Sequence, residues 1–183
     1  MSRYVALLRG INVGGRNLIK MAALKACFDE QGFSDVVTYI QSGNVLFSSG
    51  ESGSEKLTRR IEAALAASFG YGASVVLRSR KQMRDIVGRT PGAFGAQPDK
   101  YRYDVIYLKA PLSASQAMKS LLVNPEVDQA RAGTGVLYFS RLISKASRSR
   151  LGKIVSLPIY QSLTIRNWNT TTALLRLMDA SQD

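Results

Sequence analysis

The stretch LRGINVGGRN, Leu8 to Asn17, sets Gly10, Gly14 and Gly15 among Arg9, Asn12, Arg16 and, a little further on, Lys20. Glycines permit positive φ where a strand turns tightly into a helix. Successive backbone N–H groups in such a turn can also converge on a phosphate or carboxylate, and a following helix adds its positive end. The spacing is neither GxGxxG nor GxxxxGK[ST], because Asn17 and Leu18 follow Arg16. Dinucleotide binding and P-loop hydrolysis are therefore unsupported. A crowded turn and an anion nest both stay open.

A second constellation is IRNWNT, where Arg166, Asn167, Trp168 and Asn169 stand before an apolar helical pattern. Asn169 or Thr170 is the expected cap of that helix. Trp168 reads as half core and half lid, or as a ring that stacks on a base. Arg166 ends an apolar strand much as Arg9 does, so the two are expected to bracket an anion across the two halves. Lys145, Arg148, Arg150 and Lys153 form a basic run with no acid between them, either a solvated face or a set of nucleic-acid backbone contacts. Gln41, Ser42, Gly43 and Asn44 form a hairpin turn. That turn is expected at the sheet end opposite the glycine loop, so the two should form separate sites.

The inventory narrows the chemistry. There is no histidine and a single cysteine, Cys27. That removes the histidine-based triads, imidazole acid–base catalysis and histidine-ligated metal sites. Cys27 falls in a helical pattern and reads as a small core residue. No metal site and no cofactor is expected. Asp29 and Glu30 face different ways on their helix, and Asp99 and Asp104 lie near the middle of the chain. Nothing points to a carboxylate-pair enzyme. The net charge of +12 is divided evenly between residues 1–90 and 91–183, and a field of that sign attracts polyanions and anionic metabolites.

These groups need elements to hold them. YVALLR reads as a buried strand and MAALKACFDEQGF as a helix with Met21, Leu24 and Phe28 on its stripe. DVVTYIQSGNVLFSS gives two strands, and Leu57, Ile61 and Leu65 line a second helix before the strand ASVVLRS. Strand, helix, strand, strand, helix, strand is the order of a ferredoxin-like plait. TPGAFGAQPDKYR breaks the chain. The second half then repeats the order, its later helix falling weakly in SKASRSRLGKIVSL, and closes on TTTALLRLMDA with Leu174, Leu175 and Met178 as a stripe. The fold class expected is α+β: two tandem ferredoxin-like (α/β plait) subdomains, residues 1–90 and 91–183, plus a C-terminal helix. Tyr39, Tyr101, Tyr103, Tyr107, Tyr138 and Phe139 hint at base stacking on an open sheet, or are simply core if the two plaits pack sheet against sheet, and the RNA-recognition signature is missing. Tyr138 and Phe139 must point to opposite faces.

Together, YVALLRGINVGGRNLIKMAALK, VTYIQSGNVLF and TIRNWNTTTALLRL resemble a widespread bacterial family, the domain of unknown function numbered 1697. The resemblance covers nearly the whole chain and implies two successive α/β plaits. It brings no activity, substrate or catalytic set. The family-typical GGKN stands here as GGRN, so Arg16 keeps the charge and changes the hydrogen-bond geometry.

The expected role is binding of a phosphate-bearing ligand, nucleic acid or nucleotide, in a basic interdomain cleft. The ligand set is Arg9, Gly10, Asn12, Gly14, Gly15, Arg16, Lys20, Arg166, Asn167, Trp168 and Asn169, with Lys145, Arg148, Arg150 and Lys153 for nucleic acid. A small-metabolite enzyme using the same groups as an oxyanion clamp, and a protein-interaction module, are the alternatives. No membrane partner is expected, since no apolar run reaches spanning length and the N-terminus lacks a leader pattern. A cytoplasmic location follows on that reading.

Overall fold

In the computed structural model, which describes residues 1–12, 18–70 and 72–180, the chain forms two four-stranded antiparallel sheets with helices. The compact units are Met1–Met83 with Leu174–Asp183, and Arg84–Ala173.

The first unit runs β1 (Ser2–Arg9), α1 (Met21–Glu30), β2 (Ser34–Tyr39), β3 (Asn44–Ser49), α2 (Ser54–Phe69) and β4 (Ser74–Ser79). Its sheet order is β2-β3-β1-β4. The N-terminal strand is thus an inner one, paired on both edges, which is why YVALL is apolar at every position. Alternation sends Tyr4, Ala6 and Leu8 into the core with Phe28, Phe47, Leu57, Ile61 and Leu65. Val5 and Leu7, on the other face, are also buried. The stripes expected on α1 and α2 are those observed, with Leu24, Cys27 and Phe28 buried on one and Leu57, Ile61 and Leu65 on the other.

The second unit holds β5 (Tyr101–Leu108), α4 (Ala114–Ser120), β6 (Asp128–Gly133), β7 (Val136–Leu142) and β8 (Leu163–Asn167), in the order β6-β7-β5-β8. Between the sheets in sequence lies α3 (Arg80–Gly88), and after β8 comes α5 (Trp168–Ala180). Ser113 and Gln116 close a capping box on α4, with Gln116 N donating to Ser113 Oγ at 3.2 Å and Ser113 N to Gln116 Oε1 at 2.9 Å. The core takes Ile106, Leu108, Leu137 and Phe139 from the sheet. One expectation changes here. Where the first plait has α2, the second has 3-10 turns at Ile143–Arg148, Leu151–Ser156 and Pro158–Ser162. Gly152, Pro158 and five serines lower helix propensity across residues 143–162. Leu151 and Ile154 still reach the core. On α5, Leu174 and Met178 are fully buried.

A correction concerns the two loops of the first unit. β1 pairs antiparallel with β3, and Leu7 lies opposite Asn44. The end of β1 therefore meets the start of β3, and the Gln41–Asn44 turn shares a sheet end with the glycine loop. Leu8 N donates to Gly43 O at 2.8 Å. The Asn12 side chain joins the segments by donating to Gln41 O at 2.9 Å and Ile19 O at 3.1 Å and accepting from Ile19 N at 2.8 Å. The second unit has the matching bond, Leu108 N to Gly135 O at 3.0 Å.

Gly43 sits at φ +77, and a Cβ there would stand 2.6 Å from Ile11 Cδ1 and 2.9 Å from Leu8 Cβ. Gly10 sits at φ +76 with open space around that position. Gly10→Ala should cost about 1–2 kcal/mol, the left-handed penalty alone. Gly43→Ala adds overpacking and should cost about 2–5 kcal/mol. Equilibrium urea unfolding of the two variants checks the difference.

Candidate functional site

A group of half-exposed aromatic and polar side chains lies in the second unit, at the start of β5. The sequence there is YRYD. Tyr101 and Tyr103 share one face of the sheet, and Arg102 and Asp104 the other, before Val105–Leu108 becomes wholly buried. Phe94 is the hub. Its ring meets Tyr103 at 4.9 Å, Tyr138 at 5.2 Å and Trp168 at 5.3 Å between centroids, all edge-on.

The segment that reads as a break between halves holds Phe94 in place. Phe94 N donates to Pro91 O, Ala96 N to Ala93 O and Tyr101 N to Gln97 O. Gln97 N donates to Tyr103 Oη at 3.2 Å. Gly95, at φ +87, lies under the indole, and a Cβ there would be 2.6 Å from Trp168 Nε1. Tyr138 is fixed from behind by its hydroxyl donating to Ile86 O at 2.7 Å. Burial pushes that phenol's pKa up, so it stays a neutral donor.

Two concavities adjoin this cluster and share Tyr101 and Tyr103. One, of about 370 Å³, is lined by Tyr103, Tyr138, Ser140, Lys100, Gln129 and Arg131 among others. The other, of about 570 Å³, is lined by Arg102, Asp104, Arg141, Asn167, Trp168 and Asn169. Lys100 Nζ lies 5.4 Å from the Tyr101 ring centre, a cation–π contact. Asp104 is only 8% exposed. Its Oδ2 accepts no hydrogen bond and stands 3.6 Å from Arg141 Nη2. Burial raises the carboxyl pKa above the ordinary 3.8, and the cations Arg141 and Arg102 pull it partly back.

The structure distributes the expected site residues unevenly. Asn167, Trp168 and Asn169 come together at the wider concavity. Asn167 is the cap of α5, two residues before the earlier of the two positions expected: its Oδ1 accepts from Thr170 N at 2.7 Å. Arg166 is 7% exposed. It donates to Thr164 Oγ1 at 2.9 Å and Ile165 O at 2.8 Å, and burial lowers its pKa to about 10, which leaves it cationic at neutral pH. Arg9, Gly10, Asn12 and Lys20 belong to the first unit, where Lys20 precedes α1 and is exposed. Gly14, Gly15 and Arg16 lie outside the described residues. Arg148 pairs with Glu126 at 2.5 Å, and Arg150 N donates to Asp128 Oδ2 at 2.9 Å. One cation of the basic run, Arg148, therefore meets in space an acid that the run lacks in sequence. Lys145 and Lys153 are exposed.

Phe94, Lys100, Arg102, Arg131 and Arg141 were not singled out by motif. The signal available was the alternation YRYD, which puts aromatics and charges on opposite faces of one strand. Among the described residues, no group of three or more His, Cys, Asp or Glu side chains could hold a metal ion, and no helix is long and apolar enough to cross a membrane.

A family model described as "Protein of unknown function (DUF1697)" matches residues 1–138. Among solved structures, the conserved bacterial protein SP0830 from Streptococcus pneumoniae is similar at 26% identity and a TM-score of 0.84, over 97% of this chain and 98% of that one. No curated protein matches the chain.

The Asp104 carboxyl should titrate above 3.8 when followed by NMR. Arg141→Gln removes a cation that favours the carboxylate, so the midpoint should move higher still. A downward move would mean that Arg141 does not act on this group.

Proposed function

We propose, for a chain that belongs to the DUF1697 family of proteins of unknown function, that the second unit binds a phosphate-bearing nucleobase ligand, a single-stranded nucleic acid, across its aromatic face. The observation that carries this reading is the pair Tyr101 and Tyr103, half-exposed on an inner strand and shared by both concavities. Flat rings offer a sequence-tolerant platform for bases. Lys100 and Arg131 line the narrower concavity beside that platform, Arg102 and Arg141 line the wider one from the other face of the sheet, and the chain as a whole carries +12. A cation-flanked aromatic surface suits a strand whose bases lie flat and whose phosphates run along the edge. The half-open form of both concavities suits an extended polymer better than an enclosed metabolite. A cytoplasmic location accords with such a ligand.

Trp168 is the single tryptophan of the chain and lines the wider concavity, so its emission reports occupancy. Titration with a short single-stranded oligonucleotide should change that emission. The observed association constant should fall with salt at a slope of about −0.7 per phosphate contacted. Tyr101→Ala and Tyr103→Ala should each weaken binding by about 1–3 kcal/mol, the range for one stacked base. Salt-independent binding, or full affinity in both variants, would exclude this mode.

A further inference from the structure

We infer that the wider concavity is the subsite for a phosphate group of that ligand, with Arg102 and Arg141 as its anion-binding side chains and Asp104 as the positioning residue for Arg141. This assignment rests on the reading above and names the part of the surface that takes the charge.

Arg102 and Arg141 occupy directly opposite positions on the paired strands β5 and β7. Like charges in that relation destabilise a sheet unless something lies between them to neutralise them. Asp104, one step along the same face of β5, supplies a single carboxylate for the two cations. It does so incompletely: its Oδ2 is 3.6 Å from Arg141 Nη2 and accepts no hydrogen bond, and Arg141 Nε is buried without an acceptor. Arg141 is held on one side by an ion pair and is 28% exposed toward the concavity on the other. A guanidinium oriented by a buried carboxylate and short of acceptors suits a phosphate, whose oxygens match its planar fork.

The remaining wall agrees. The Asn167 side chain gives its Oδ1 to Thr170 N, leaving its Nδ2 as a donor, and Asn169 adds a second exposed amide. Both stand at the N-terminal end of α5, a 13-residue helix whose dipole favours an anion there. The phosphate could come from the backbone of a strand or from its 5′ terminus; the chemistry at the concavity is the same.

The test compares three oligonucleotides of one sequence: phosphodiester-linked, 5′-phosphorylated, and linked by uncharged methylphosphonates. Trp168 emission is the readout. Arg141→Lys and the exposed Arg102→Ala should each weaken binding of a charged strand about tenfold, equivalent to about 1.4 kcal/mol, and change binding of the uncharged strand less than about twofold. Each should also reduce the salt slope by about 0.7. An effect on every charged strand identifies a backbone phosphate; an effect confined to the 5′-phosphorylated strand identifies the terminus. Asp104→Asn should reproduce the Arg141→Lys loss on the charged strand alone, which a merely structural role would not do. Unchanged affinity for both charged strands in Arg141→Lys and Arg102→Ala overturns the phosphate subsite, and tighter binding by Asp104→Asn overturns the positioning role. If instead the arginine variants act as expected while Tyr101→Ala and Tyr103→Ala have no effect, the stacking reading fails and the anion subsite stands.

Discussion

The hydrogen bond from Leu8 N to Gly43 O fixes the end of the first sheet, and Leu108 N to Gly135 O does the same in the second. Each ties the last residues of an inner strand to the turn that opens its antiparallel neighbour. Because side chains alternate along a strand, a slip of one residue there would move every side chain of that strand to the other face of the sheet. In the first unit it would turn Tyr4, Ala6 and Leu8 away from the helices. In the second it would turn Tyr101 and Tyr103 away from Phe94. The bond therefore protects a core in one unit and a surface in the other.

The second sheet shows how one strand can serve both ends. From Val105 onward β5 is buried on both faces, and its first four residues alternate between half-exposed rings and charges. The buried part holds register, and that register aims the exposed part. Burial also shapes the electrostatics, since Asp104 lies at the boundary where the strand passes out of solvent. Its carboxylate is desolvated enough to be costly alone and close enough to Arg141 to be tolerated.

Elements defined by local pattern were legible in the sequence. Leu57, Ile61 and Leu65 fall at four-residue steps, so α2 and its buried stripe followed directly. YVALL, apolar without interruption, could only be an inner strand. The weak helix read in SKASRSRLGKIVSL does not form, because Gly152, Pro158 and the serines oppose one, and the chain fills its place with 3-10 turns. The loop-to-turn contact through Asn12 was misplaced because it depends on which strands pair, which period alone does not give. At the candidate site, Asn167, Trp168 and Asn169 were legible as a donor-rich helix start. Phe94 was not. It lies in a Pro/Gly segment that reads as a linker, and its partners come from β5, β7 and α5, up to 74 positions apart in the sequence.

The discontinuity of the first unit has a consequence for the order in which the molecule can be completed. Its segments are Met1–Met83 and Leu174–Asp183, with the whole of the second unit between them in sequence. On a ribosome, β1 must wait for β4 before both its edges are paired. The unit containing it is complete only once its second segment, from Leu174 onward, has been made. The second unit, continuous in sequence, is free to fold while the first still exposes apolar surface. Truncation near residue 174 should thus be felt at the opposite end of the chain, and the interval before it is the period in which the nascent protein is most open to aggregation.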